Sequence, residues 1–147
     1  HIFDLARFYL GEVKRVHAVS ASLGRSSTKD YDVEDASVVN LEFKSGAVAN
    51  ISSTTLLDDM PGRADLVLYG EKFQMEHGGS LKLRTPGELQ EISSRQDPYL
   101  NEDRVFIEAV RTGKKKAILS SYDDAFRTLA VTLAASQSMR TGKPVRL

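Results

Sequence analysis

The first residues of the chain contain the clearest pair of side chains for acid–base chemistry. His1 and Asp4 are three positions apart, a spacing that places both side chains on one side of a helix, within reach of the same ligand. An imidazole exchanges a proton near neutral pH, and a carboxylate holds a hydroxyl group by accepting its hydrogen bond. The pair therefore suggests a site for a hydroxyl-bearing ligand, although in isolation a terminal histidine beside a surface aspartate is the favoured interpretation.

The other polar clusters are better explained by structure than by chemistry. His17 lies in a predicted strand and His77 beside a Gly-Gly turn, and neither has the carboxylate spacing of a metal site. The lysines at 114–116 follow a predicted helix end, where cations suit the helix dipole. Ser121 and Asp124 have the spacing of a helix cap, and no base is placed beside the serine to make it a nucleophile.

One further polar group lies beyond a long predicted strand. Asp58, Asp59 and Arg63 could contact a substrate there, but we interpret them as solvated turn residues.

Composition excludes several classes of function. Twenty acidic and 20 basic residues cancel, which argues against nucleic-acid binding. Cysteine is absent, so thiolate metal sites and disulfides are excluded, and no metal site is predicted. No apolar run approaches the roughly 20 residues of a membrane span. We therefore expect a soluble, cytoplasmic protein that binds neither nucleic acid nor a membrane.

A short helix and a series of strands must position the pair. Helical spacing predicts a helix over residues 1–10, ended by Gly11. Its predicted core-facing residues are Ile2, Leu5, Phe8 and Tyr9. Alternating patterns predict strands over 13–23, 36–44, 47–57, 64–69, 72–76, 81–85 and 88–92, with a loop at 24–34. The short turns between most of these strands make them antiparallel neighbours.

Two helices and an edge strand follow. Asn101 is the predicted cap of a helix that ends at Gly113, and Ser121 begins a longer helix before an edge strand at 145–147. The predicted buried face of the longer helix consists of Phe126, Leu129, Ala130, Leu133 and Ala134, and its small residues, including Ala135, Ser136 and Ser138, should let its axis approach a sheet closely. The predicted fold class is α+β, with an open, mostly antiparallel sheet and helices packed on one face, forming one domain over residues 1–147. The uncovered face of such a sheet predicts self-association.

The opening segment HIFDLARFYLGEV, residues 1–13, contains H-x-x-D, a helical pattern ending in L-G and the start of a strand. It resembles the segment that opens the C-terminal domain of the Gfo/Idh/MocA oxidoreductases, the family of glucose–fructose oxidoreductase and inositol dehydrogenase, whose motif is D-x-x-x-H-x-x-D; the first Asp of that motif would lie before residue 1. The resemblance continues in order along the whole chain. The other matching segments are 35–43, 45–47, 68–71, 106–113, 121–125, 134–136 and the ending at 138–145. The resemblance implies a fold like the C-terminal domain of glyceraldehyde-3-phosphate dehydrogenase.

The same resemblance assigns roles to the opening pair. It implies that His1 is catalytic and that Asp4 binds substrate, in an enzyme that uses NAD or NADP on a sugar, cyclitol or similar polyhydroxy compound. The family's catalytic lysine and Gly-rich loop belong to an N-terminal Rossmann domain that is absent from this chain, and no G-x-G-x-x-G occurs here. The chain alone is therefore expected to bind no cofactor and to be inactive. Its expected partners are the substrate, the missing domain and further copies of itself.

Two alternatives remain. The chain could be a stand-alone domain that dimerises or binds a small ligand without chemistry, although a first helix without a cap argues against a natural start near His1. Within the enzyme family, sugar-to-sugar transfer and NAD-dependent glycoside hydrolysis are alternatives to simple dehydrogenation, because function resides in the site and not in the scaffold.

Overall fold

The computed structural model describes residues 1–22, 31, 33–57 and 60–147, and the elements within them confirm the α+β class. The helices are α1 (Ile2–Leu10), α2 (Pro98–Thr112) and α3 (Tyr122–Thr141). The strands are β1 (Val13–Ala21), β2 (Ala36–Phe43), β3 (Val48–Thr54), β4 (Leu66–Gly70), β5 (Phe73–His77), β6 (Leu81–Thr85), β7 (Glu88–Ile92) and β8 (Val145–Arg146). Most of the loop predicted at 24–34 lies outside the described residues. No described helix has both the length and the apolar character needed to cross a bilayer.

The strands pair as two antiparallel sheets. The first has the order β3-β2-β1-β8 and the second β4-β5-β6-β7. The first sheet belongs to a compact unit made of His1–Ala64 and Phe126–Leu147, and the second to a unit made of Asp65–Ala125. The predicted antiparallel pairing is confirmed, and β8 occupies a sheet edge as predicted.

The core of the first unit lies between one face of the first sheet and the helices α1 and α3. Alternate residues of a strand project to the same face, so the register of β1 with β2 and of β2 with β3 gathers apolar side chains on one side. The buried residues are Ala6, Val13, Val16, Ala18, Val39, Leu41, Phe43, Ile51, Val131, Ala134 and Ala135. Helices therefore cover one face of this sheet, as predicted.

The predicted buried face of α1 is wrong in part. Phe8 is 71% exposed, and its ring makes an edge contact with that of Tyr9, with the ring centroids 5.1 Å apart. Ala6 and Arg7 are buried instead, with Phe3 and Leu10 packed against the core. Both sets of residues repeat at helical spacing, so the periodicity could not select which one faces the sheet.

The predicted buried face of α3 is also wrong in part. Phe126, Leu129 and Leu133 are each at least half exposed, whereas the buried residues are Val131, Ala134, Ala135 and Ser138. The buried set also has the spacing i, i+3, i+4, i+7, and it is made of small residues. Small side chains let the helix axis approach the sheet closely, a geometry that the larger leucine and phenylalanine side chains do not permit.

The start of α2 differs from the prediction. Asp97, not Asn101, is the cap, since its Oδ1 accepts hydrogen bonds of 2.9 and 3.2 Å from backbone N–H groups of the first turn. Pro98 then occupies the first helical position, where its missing N–H has no cost. The helix ends at Gly113 as predicted, in the left-handed conformation with a φ of 71°.

Ser138 joins α3 to the first sheet where β8 has ended. The strand β8 pairs with β1 at Arg15 and Val16, so it does not reach Ala18. The N–H of Ala18 donates instead to the Ser138 Oγ at 2.9 Å, and the same hydroxyl donates to the carbonyl of Lys143 at 2.8 Å. The Ser138 side chain is fully buried and therefore serves as the hydrogen-bond partner that a longer strand would have provided.

Replacing Ser138 with alanine is expected to lower the free energy of unfolding by ~1–3 kcal/mol, because the buried N–H of Ala18 loses its acceptor. Urea denaturation of the two proteins measures the difference. Ser136→Ala is the matched control, since that hydroxyl donates to a carbonyl of its own helix turn, Thr132 O at 3.2 Å. Equal losses for the two variants would contradict the bridging role.

Candidate functional site

The site predicted from the sequence lies at the first turn of α1. His1 is the N-cap residue, and its carbonyl accepts the N–H of Leu5 at 2.9 Å. Its side chain makes no capping hydrogen bond and is exposed. The imidazole therefore remains accessible to a ligand.

Asp4 lies one turn further along the same helix and is tied to α3. Its Oδ1 accepts a hydrogen bond of 2.6 Å from the hydroxyl of Thr128, although its side chain remains 45% exposed. Among the described residues, no hydrogen bond joins His1 to Asp4, so the helix itself keeps the two groups near each other. The structure thus places both predicted residues at one end of one helix.

Asp4 belongs to a cluster of four charged side chains, with Arg7, Glu12 and Arg127, that the sequence did not predict. Arg7 is buried, with 5% of its side chain exposed. Its Nη1 donates to Thr128 Oγ1 at 2.7 Å and its Nη2 to Glu12 Oε1 at 3.0 Å. Arg127 donates to the same oxygen of Glu12 at 3.1 Å. Two cations therefore face two carboxylates, and α1, the residue that precedes β1, and α3 meet at this point.

The pKa of Glu12 is lowered by this cluster. Partial burial acts in the opposite direction and raises the pKa, but the hydrogen bonds and charges of Arg7 and Arg127 outweigh it, so the pKa lies below the ordinary value of 4.5. Because the folded-state pKa is depressed, the ionised carboxylate stabilises the fold above about pH 4.5, and this contribution is lost as the pH falls through the folded-state pKa.

We expect the stability difference between the natural chain and the variant Glu12→Gln to depend on pH. The natural chain should be the more stable at about pH 7, and the difference should shrink as the pH falls below about 4.5 and through the depressed folded-state pKa, as its carboxylate becomes protonated. Urea denaturation at a series of pH values measures both free energies of unfolding. A difference that stays constant over this window would show that the Glu12 charge does not stabilise the folded state.

Of the two supporting residues nearest the site, only one had a signal in the sequence. Arg7 follows Asp4 by three positions in a helix whose other residues are apolar. An arginine at such a position is a sign of a buried ion pair. Thr128 gave no signal, because it is 124 positions from Asp4 and meets it only through the packing of α3 on α1.

The face of the first sheet opposite the helices is largely polar. Arg15, His17, Asn40, Glu42 and Pro144 line a shallow cavity of about 280 Å³. The guanidinium of Arg15 donates to Glu42 at 2.8 Å, and this hydrogen bond lowers the pKa of the Glu42 carboxyl. Polar side chains therefore occupy much of this face, beside the exposed Val19, Val38 and Val48. His17 also lies on this face, and the described residues that line the cavity include no second histidine.

The remaining candidates occupy the positions of structural or solvated groups. The Ser121 Oγ accepts the N–H of Asp124 at 3.2 Å, which confirms the helix cap. The lysines at 114–116 are exposed just after α2, and His77 ends β5 opposite Leu81. Arg63 is exposed, whereas Asp58 and Asp59 lie outside the described residues. In the part of the chain that the structure describes, no three histidine or acidic side chains gather as a metal site would require.

Comparisons with known proteins agree on the kind of domain. A family profile described as the GFO/IDH/MocA C-terminal domain matches residues 1–76. The chain is 29% identical to scyllo-inositol 2-dehydrogenase (NAD(+)) from Bacillus subtilis over 157 aligned positions, covering 100% of this chain and 45% of that enzyme.

Solved structures share the fold. Aldose–aldose oxidoreductase from Caulobacter crescentus, complexed with glycerol, has a TM-score of 0.78 at 24% identity, with 98% of this chain and 44% of that chain covered. The WlbA dehydrogenase from Bordetella pertussis, in complex with NADH and UDP-GlcNAcA, has a TM-score of 0.75 at 23% identity, with coverages of 100% and 42%. The chain therefore spans less than half the length of each of these relatives.

Proposed function

The chain belongs to the GFO/IDH/MocA family as a C-terminal domain, and we propose that it is the substrate-binding half of an NAD- or NADP-dependent oxidoreductase. The proposed substrate is a sugar, a cyclitol or a similar polyhydroxy compound. In support, relatives that match the full length of the chain include an inositol dehydrogenase and a dehydrogenase bound to a nucleotide sugar.

One observation supports the proposal most directly: an accessible imidazole and a fixed carboxylate lie one helical turn apart. His1 is exposed, and Asp4 keeps nearly half of its side chain exposed while one carboxylate oxygen is held by Thr128. A polyhydroxy compound has several neighbouring hydroxyl groups, so two side chains at this spacing can engage two of them at once.

The proposed roles follow from the chemistry of the two groups. Oxidation of an alcohol to a carbonyl removes the hydroxyl proton and a hydride from the same carbon. His1 in its neutral form accepts the proton, and Asp4 accepts a hydrogen bond from a neighbouring hydroxyl group, which orients the carbon that reacts. The hydride needs a nicotinamide acceptor, which the remainder of the enzyme would hold.

The described residues of this chain do not fit a dinucleotide. A pyrophosphate binds to free backbone N–H groups at a Gly-rich helix start, but the start of α1 contains no glycine, and the starts of α2 and α3 are capped by the carboxylate of Asp97 and the hydroxyl of Ser121. We therefore propose that a Rossmann domain outside this chain binds the cofactor and that the chain alone is inactive.

The exposed face of the first sheet, opposite the helices, has features of a contact surface between two copies of the chain. We propose that the open face of the first sheet contacts a second copy, because Val19, Val38 and Val48 are exposed there between polar groups that can pair across an interface. Light scattering of the full-length protein and of the variant Val38→Asp tests the interface.

The absence of cysteine is compatible with a reducing compartment, and we propose that the protein is located in the cytoplasm.

The enzymatic proposal is tested with the full-length protein, by following nicotinamide reduction at increasing concentrations of scyllo-inositol and of a panel of aldoses and ketoses. We expect oxidation of at least one compound, and we expect Asp4→Ala to raise the KM for it. Analysis of the products distinguishes dehydrogenation from transfer between sugars and from glycoside hydrolysis.

Two results would contradict the proposal in different ways. A full-length protein that binds a sugar but never reduces the cofactor would favour a non-catalytic binding domain. A KM that is unchanged in Asp4→Ala would leave the enzyme class intact and remove Asp4 from the substrate site.

A further inference from the structure

We propose that Thr128 is a positioning residue for the substrate, because its hydroxyl fixes one oxygen of the Asp4 carboxylate and leaves the other oxygen for a substrate hydroxyl. The inference rests on the proposed function, since it requires Asp4 to bind the substrate. Thr128 itself lies on α3 and would act on the substrate through its hydrogen bond to Asp4.

The direction of the hydrogen bonds around Thr128 is determined by its neighbours. A guanidinium group can only donate, so the bond of 2.7 Å from Arg7 makes the Thr128 oxygen an acceptor. The single hydroxyl proton of Thr128 is then available for the Oδ1 of Asp4, 2.6 Å away. Arg7 thereby orients the threonine, and the threonine orients the aspartate.

The contacts of Asp4 are concentrated on one oxygen. Its Oδ1 receives the Thr128 hydrogen bond and lies 3.8 Å from the Nη1 of Arg7. Within the described part of the chain, no residue donates a hydrogen bond to Oδ2. Because the side chain is also 45% exposed, the second oxygen is in a position to accept a hydrogen bond from a ligand.

Arg7 does not neutralise Asp4 by a direct hydrogen bond. Its Nη2 lies 3.0 Å from Glu12, compared with 3.8 Å between its Nη1 and Asp4. Of these two carboxylates, Glu12 is therefore the nearer to the buried guanidinium, and Asp4 makes its closest contact with Thr128. Loss of the threonine hydroxyl should therefore release the orientation of the Asp4 carboxylate.

The test uses the full-length protein and the compound of the panel that is oxidised fastest, with scyllo-inositol tried first. Thr128→Val keeps the size and shape of the side chain but removes one hydrogen bond to the Asp4 carboxylate. We therefore expect the KM to rise about tenfold and kcat to change less than about twofold. Thr128→Ser restores the hydroxyl and should restore the KM. Thr132→Val is the matched control on the same helix, because that hydroxyl donates to Leu129 O at 2.9 Å.

A double-mutant cycle separates positioning from a general structural effect. If Thr128 acts through Asp4, then Thr128→Val causes no further rise in KM when Asp4 is already alanine. A rise that persists in the Asp4→Ala background, or an equal rise in the Thr132→Val control, would overturn the inference while the proposed function stands. An unchanged KM in Asp4→Ala itself, or no oxidation of any compound, would overturn the inference together with the proposed site.

Discussion

Replacing His1 with alanine in the full-length protein is expected to lower kcat by about a hundredfold to ten-thousandfold, the usual contribution of a positioned acid–base group. The KM should change little, because Asp4 and its supporting residues on α3 are untouched. Nicotinamide reduction under substrate saturation measures the effect. The loss should be smaller at high pH, where hydroxide and water can take the proton that the imidazole no longer accepts.

The matched control is His77→Gln, which removes a histidine from the end of β5 in the second sheet. It should leave kcat and KM unchanged. Thermal unfolding of both variants should resemble that of the natural protein, because the His1 side chain is exposed and caps no backbone group. A His1→Ala variant that retains full kcat would remove His1 from the catalytic site and leave the family assignment unaffected.

Replacing Leu41 with alanine is expected to lower the free energy of unfolding by ~3 kcal/mol, the largest stability effect that we predict. Leu41 is 1% exposed and lies at the centre of the first sheet, opposite Val16 in β1 and Ala49 in β3. Both neighbouring strands restrict the collapse of the cavity that the substitution creates. The midpoint of thermal unfolding should fall by roughly 6–12 °C.

Leu119→Ala is the control for the same chemical change at the surface, since Leu119 is 94% exposed. Its effect on the free energy of unfolding should stay within about 0.5 kcal/mol. Calorimetry or circular dichroism of the two variants provides the comparison. If Leu41→Ala cost no more than the surface substitution, the first sheet would not form the core described above.

Much of the local structure could be predicted because it depends on local rules. The alternation in β2 and β3 predicted a hairpin that the structure confirms, and the bounds of β6 and β7 were predicted without error. Ser121 was correctly predicted as a cap because a hydroxyl three positions before an N–H can reach it within one turn. The cap of α2 was wrong because two residues, Asp97 and Asn101, both suit the start of a helix and the proline decides between them.

The class of the domain, the antiparallel pairing of its strands and the one-turn spacing of His1 and Asp4 follow from the amino-acid sequence alone, because they depend on the pattern within an element or on the short turn that joins two neighbouring strands. The tertiary structure decided which faces of α1 and α3 are buried, since a helical period leaves the rotation of a helix undetermined. It also decided that Thr128 contacts Asp4 and that Glu12 neutralises Arg7. Such contacts join residues from separate elements, and only the packing of α1, β1 and α3 brings them within hydrogen-bonding distance.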